Sequence, residues 1–349
     1  MHTSSALDAK GISRRHFLAG LAPAAASLVF SRTSSSRAGS AERGPVLGSG
    51  AHKYEWVKGW GQLPEGMQFG NTHGCIVIDG RGRVLVNTDT ENAVIIFDSS
   101  GKFLKSWGKD FKGGAHGMAI VREGDKELMF LAHTGRHEVV KATLDGDVLM
   151  TIAYPEKAGV YKSALEYKPT SVAIGPGGDI YVSDGYGLSW IHQYDSKGEY
   201  IRSWGGKGTD PGQMRTPHGI WLDTRGKEPL LAVADRENNR LQFFSLDGKF
   251  VTMVTEELRR PCHMDQRGAD LAIADLAGRV TIFDKNNKLI THLGDNPDPK
   301  KRANNGVPRD QWVDGEFIAP HCARWDADGN LYVLDWVAVG RVTKLKHLS

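Results

Sequence analysis

Six times along this chain a short apolar strand, a Gly- or Asp-rich turn and a second apolar strand recur in the same order. The segments are "THGCIVIDGRGRVLVNTD" from Thr72, "AHGMAIVREGDKELMFLAH" from Ala115 and "PTSVAIGPGGDIYVSD" from Pro169. They continue with "PHGIWLDTRGKEPLLAVAD" from Pro217, "PCHMDQRGADLAIAD" from Pro261 and "PHCARWDADGNLYVLD" from Pro320. Most run on to a third strand ("VIIFD", "IHQYD", "LQFFS", "VTIFD") and, after a tight turn, a fourth ("KFLKSWG", "EYIRSWG", "KFVTMV"). Apolar runs of this length between turn residues are antiparallel strands. A lone four-stranded unit cannot bury both faces, so the units must stack. Six of them predict an all-β, six-bladed β-propeller.

A ring of blades must close. "YEWVKGWG" (Tyr54 to Gly61) reads as a fourth strand but precedes the first unit, whereas the last unit stops after its third strand, "GRVTKLKHL". The N-terminal strand is therefore expected to complete the sixth blade and pair its open edge. Two blade connectors are long, Tyr154 to Lys168 and Asp295 to Glu316, as lids and binding loops are.

In each blade the first strand lines the channel, and the loop after the second strand returns to the same mouth. The residues at the repeated position are His73, His116, Thr170, His218, Cys262 and His321. Blades two, four and six alternate, so His116, His218 and His321 are expected to converge about 120° apart. That is the arrangement for three imidazoles on one metal, with zinc first and an open coordination position left over. His73, Cys262 and Cys322 are additional channel residues, and His263, one position on, is expected to point elsewhere. The repeated Asp184, Asp235, Asp275 and Asp335 read as structural groups capping turn N–H bonds between blades.

The chain has 349 residues, 44 Lys plus Arg against 41 Asp plus Glu, and no basic tract in its body. This excludes a nucleic-acid footprint. Three cysteines (Cys75, Cys262, Cys322) do not make a disulfide framework. "SRRHFLAG" (Ser13 to Gly20) puts twin arginines before a short apolar run and a Ser-rich stretch. Residues 1–41 therefore read as a twin-arginine export signal and linker, and 52–349 as the propeller. The run is too short to span a bilayer, so no stable membrane anchor is expected after processing. The mature protein is expected to be periplasmic or secreted. Nothing in the sequence sets an oligomeric state.

"PTSVAIGPGGDIYVSDGYGLSWIHQYDSKGEY" and "TPHGIWLDTRGKEPLLAVADRENNRLQFF" resemble the catalytic propeller of the peptidyl-α-hydroxyglycine α-amidating lyases, within the wider NHL-repeat propellers. The resemblance runs from Tyr54 to Leu348 and is densest from Pro169 to Phe244 and near His321. It implies zinc on His116, His218 and His321, Tyr186 of "SDGY" as catalytic base, and Arg236 of "ADREN" as an active-site arginine. The implied reaction cleaves a peptidyl-α-hydroxyglycine to a peptide amide and glyoxylate. Tyr186, its pKa lowered near the metal, would take the hydroxyl proton, and Arg236 would hold the substrate carboxylate or the phenolate. No cofactor other than the metal is implied.

The chain departs from the family in places. "LVNTDTENAV" lacks the arginine expected in blade one. Ala319 replaces a Met, and His73 is an added imidazole. Cys322 stands where the family has an Asp, which argues against the channel calcium of some relatives. Two other functions fit the same fold: a non-catalytic exported propeller that binds a peptide or protein partner, and a metal-dependent hydrolase or lactonase. The last ranks third, because such sites use carboxylates and Asn around calcium.

Overall fold

The structure, a computed structural model, describes residues 43–348. The export segment predicted over 1–41 lies outside them. Six antiparallel sheets form the ring, five of four strands and one of five. Blade one holds Ile76–Ile78, Val84–Asn87, Val94–Phe97 and Phe103–Trp107 from axis to rim. Blade two runs from Ala115–Glu123 at the axis to Val148–Ile152, blade three from Ser171–Ile174 to Tyr200–Gly205, blade four from Pro217–Asp223 to Phe250–Val254, and blade five from Pro261–Arg267 to Leu289–Leu293. Blade six starts with Pro320–Trp325, Leu331–Asp335 and Arg341–His347.

The ring closes as expected. His52–Val57 pairs antiparallel with Arg341–His347, placing Tyr54 opposite His347 and Trp56 opposite Leu345. A further strand, Val46–Ser49, then covers the edge of His52–Val57, so the propeller sheet begins upstream of position 52. It turns back tightly because Gly48 and Gly50 both take positive φ. After Val57 the chain leaves the sheet and drops Trp60 between blades six and one. There the indole packs on Phe97 and Tyr332 at 5.3 and 5.0 Å between centroids. One indole wedged between first and last blades adds apolar burial to the seam that the backbone ladder joins only at its outer strands.

Middle strands such as Val84–Asn87 and Val94–Phe97 are buried at every residue, whereas a rim strand such as Val148–Ile152 is mostly exposed. Sheets stacked face to face explain this: both faces of the inner strands are covered, so alternation disappears.

The repeated aspartates act as buckles. Each is fully buried and accepts a backbone N–H from the connector that feeds its own blade's inner strand. Asp184 takes Lys168 N at 2.7 Å, Asp235 takes Arg215 N at 2.6 Å, Asp275 takes Arg259 N at 3.0 Å, and Asp335 takes Ala319 N at 2.8 Å. Asp235 also accepts from Arg240 Nε at 2.7 Å, Asn238 Nδ2 at 2.8 Å and Gln242 Nε2 at 3.0 Å. Asp235→Ala would leave the Arg240 guanidinium buried without its carboxylate. The expected loss is about 3–5 kcal/mol, read as a drop in the urea midpoint at constant slope. An unchanged midpoint would show that the buckle is ornamental.

Candidate metal centre and active site

The histidines reach the axis because the inner strands start with a bulge. Pairing skips a residue between Pro217 and Gly219 and between Pro320 and Cys322. In blade two it jumps from Ala115 to Met118. A bulged residue leaves the ladder and re-aims its side chain, here into the channel. A small residue after the histidine lets the next blade approach. A Cβ on Gly219 would sit 2.1 Å from Cys262 O, and one on Gly117 would sit 2.4 Å from Thr170 O.

The three alternate-blade rings are neighbours, and each pair of them shares a converging donor set with a further ligand, but His116, His218 and His321 do not by themselves form one of those sets. Ring centroids are 4.9 Å apart for His116–His218, 5.0 Å for His116–His321 and 4.5 Å for His218–His321. All three are buried. His116 Nδ1 lies 2.6 Å from Thr170 O, and His321 Nδ1 lies 2.7 Å from Gly74 O. A carbonyl only accepts, so Nδ1 carries the proton in both rings and Nε2 presents a bare lone pair. Those two Nε2 atoms are buried without a hydrogen-bond partner among the described residues, as is His218 Nδ1. Burial holds all three imidazoles well below the usual histidine range, with neighbouring positive groups adding to the effect, so they are neutral. His116 and His321, anchored through Nδ1 to carbonyls and orphaned at Nε2, suit a cation, whereas His218 turns Nε2 to Tyr186 and leaves Nδ1 without a partner.

More ligands gather here than the alternate-blade pattern supplies. Three overlapping sets each have their donor atoms within 4.8 Å of one another: His73, His116 and His321; His116, His218 and His263; and His218, Cys262 and His321. His263 therefore does not point elsewhere. Its ring lies 5.1 Å from His218 and 5.5 Å from His321. In blade five the pairing jumps from Pro261 to Met264, so Cys262 and His263 both leave the ladder and ordinary strand alternation does not apply. Thr170, at the blade-three position, is no ligand. Its Oγ1 reaches Ser183 O and Pro217 O, both at 3.2 Å, and its carbonyl serves His116.

Tyr186 stands over this cluster. It sits in the tight turn between the second and third strands of blade three, with a glycine on either side. A Cβ on Gly185 would lie 2.4 Å from Thr170 Oγ1, and one on Gly187 would lie 2.1 Å from Asp184 Oδ1. Tyr186 Oη is 2.9 Å from His73 Nε2, 2.9 Å from His218 Nε2, and accepts from Arg236 Nη1 at 3.1 Å. The guanidinium lies over the phenol ring, 5.3 Å from its centroid. The phenol pKa is not lowered here. Burial pushes it up to about 12, with Arg236 working against that rise. Arg236 Nε binds Glu237 at 2.9 Å, and Arg260 holds the same carboxylate oxygen at 2.7 Å. Asp235, the carboxylate on the other side of Arg236 in the chain, is engaged by Arg240.

His73 is only partly buried. Its ring is stacked with that of Tyr186 at 5.6 Å, and it lies 5.1 Å from Trp336 and 4.8 Å from His321. Cys322 does not face the imidazoles' donor atoms but meets Cys75, Sγ to Sγ, at 3.2 Å. The long connector Tyr154 to Lys168 is tied down by Tyr161, which donates to Asp184 Oδ2 at 2.7 Å. It helps to wall a mouth pocket of about 560 Å³ lined by Thr134, His137, Leu165, Lys168 and Tyr186.

A closed ring of six NHL-type blades with an imidazole-lined axis defines the class of this protein. No family model matches the chain. It is 33% identical over 273 residues to peptidyl-alpha-hydroxyglycine alpha-amidating lyase 1 of Drosophila melanogaster, covering 72% of this chain and 48% of the relative. It is 27% identical over 238 residues to NHL repeat-containing protein 3 of Homo sapiens, covering 64% and 67%. With peptidyl-glycine alpha-amidating monooxygenase A of Xenopus laevis it shares 32% identity over 175 residues, 48% of this chain and 18% of that one. The chain thus spans about half of the fly lyase and a small part of the frog protein. Among solved structures, a streptogramin B lyase superposes with a TM-score of 0.55 at 15% identity over 80% of this chain and 96% of that one. Virginiamycin B lyase of Staphylococcus aureus gives 0.51 at 15% over 81% and 97%. At such identity these two show the fold alone. The chain is a six-bladed propeller homologous to the amidating lyases and to NHL-repeat proteins.

Proposed function

We propose that this protein is an exported, zinc-dependent lyase that cleaves the C–N bond of a peptidyl-α-hydroxyglycine or a related carbinolamide. The observation that carries the reading is the position of Tyr186, with Oη within 3.1 Å of Arg236 and 2.9 Å of His218 and its ring 5.3 Å from that of His116. The homologues named as amidating lyases support the substrate class. His116, His218 and His321 would hold the ion, which when bound supplies a Lewis acid for the substrate's hydroxyl oxygen.

The chain's own groups account for the rest. Tyr186, as phenolate, removes the hydroxyl proton; the C=O of glyoxylate forms as the C–N bond breaks, and the departing amide nitrogen gains a proton. Arg236 is already committed to Glu237 and to Tyr186 Oη. That favours the phenolate-stabilising role over capture of the substrate carboxylate. A cation at the imidazoles would add a second positive charge near Oη and pull the phenol pKa down from its buried value. The mouth pocket beside Tyr186 has the size to take a peptide end. Among the described residues no helix is long and apolar enough to cross a membrane. Export by the twin-arginine segment places the reaction in the periplasm or outside the cell.

The test is glyoxylate release from α-hydroxyhippurate by the purified protein. Turnover abolished by a chelator and restored by zinc is the expected result. A protein with one bound zinc and no release would defeat the lyase and leave the non-catalytic propeller, with a peptide or protein partner, as the reading.

A further inference from the structure

Blade one and blade six meet at the axis without a shared backbone ladder, because Ile76–Ile78 and Pro320–Trp325 are the innermost strands of separate sheets. Between them lie two of the three cysteines, 247 positions apart in the chain, with their Sγ atoms 3.2 Å apart. Both are buried, at 1% and 0% exposure. The flanking backbone is already fixed around the pair. Ile76 N donates to Cys322 Sγ at 3.3 Å, and His321 Nδ1 donates to Gly74 O at 2.7 Å. Two sulfurs held this close need to approach by only about 1 Å to reach bonding distance. The third cysteine, Cys262, is on blade five and packs in a different apolar cluster.

We propose that Cys75 and Cys322 are a disulfide site, a covalent clasp between the first and last blades. The bond forms by exchange with an external disulfide. One thiolate attacks that disulfide to give a mixed disulfide and releases a thiol. The second thiolate then displaces the other half. Two S–H protons are transferred to the two departing sulfurs, the S–S bond forms inside the seam, and the external disulfide is reduced to two thiols. Because both sulfurs are buried, exchange proceeds through opening of the seam and is slow. The closed bond lies directly beside the Gly74–His321 hydrogen bond, so it fixes one imidazole of the channel as well as the ring. The inference is independent of the lyase reading.

The test uses the full folded chain, held in buffers of oxidised or reduced glutathione and then denatured in an alkylating agent. After oxidation one cysteine, Cys262, takes the label, and proteolysis yields the Cys75 and Cys322 peptides linked. After reduction all three cysteines take it. The oxidised form also unfolds roughly 5–10 °C higher, since the bond closes a very long loop in the unfolded chain. That difference disappears in Cys322→Ala and in Cys75→Ala. Three labelled cysteines after prolonged oxidation, or a glutathione adduct in place of the linked peptides, overturns the proposal; the wild-type measurement stands even if neither variant folds.

Discussion

His218→Ala is expected to strip most of the bound zinc while leaving the propeller folded. The ring at 218 faces both His116 and His321 across the axis, at centroid distances of 4.9 and 4.5 Å. Its loss turns three converging imidazoles into two. Groups that merely orient a ligand are worth 10- to 100-fold in affinity, so loss of a ligand should cost roughly 100-fold or more. The fold should survive, because the blades are held by their ladders and by the aspartate buckles. Elemental analysis after dialysis reads the metal, and thermal unfolding reads the fold. Full zinc retention by His218→Ala would mean that the ion sits elsewhere in the imidazole cluster, on His73 or His263. His73→Ala and His263→Ala, analysed the same way, would then find it.

Tyr186→Phe is expected to do the opposite: keep the zinc and lose turnover. Only the hydroxyl goes. The ring still fills the turn between Gly185 and Gly187 and still lies under Arg236. Removal of a general base costs about 10²–10⁴ in kcat, with KM changed far less. The pH dependence supplies a second readout. The limb of the kcat profile assigned to the phenol should vanish in the variant, whatever its position in the zinc-loaded protein. A variant that kept its zinc and retained most of its kcat would remove Tyr186 from the chemistry and shift attention to His73, the partly buried imidazole that Oη touches.

The architecture was legible in the sequence because the repeat keeps its own register. A Pro-His or its equivalent stands at or just before the start of the inner strand, an Asp ends or directly follows the second strand of blades three to six, and the strand missing from blade six turns up before blade one. The first two regularities come from contacts repeated from blade to blade, so repetition exposes them, and the third follows from closing the ring. What escaped was irregular. Strand alternation sent His263 away from the channel, but two residues of blade five bulge out where alternation allows none. Val46–Ser49 is four residues with a glycine at positive φ, too short and unpatterned to read as a strand. Cys75 and Cys322 are neighbours only because the ring closes, and no local pattern records a contact between chain positions so far apart. Burial raises the phenol pKa of Tyr186 in the protein without an ion, and burial is a property of the assembled mouth that no local pattern records.

Thr170 occupies the ring position of blade three without offering a metal-ligating atom to the axis, and Tyr186 leans in from the turn of that same blade. A six-sector tube with identical walls would receive an incoming molecule in any of six rotations. Vacating a single wall and hanging a hydroxyl over the gap leaves one rotation that differs from the other five. Whatever enters along the axis is thereby given a front and a back.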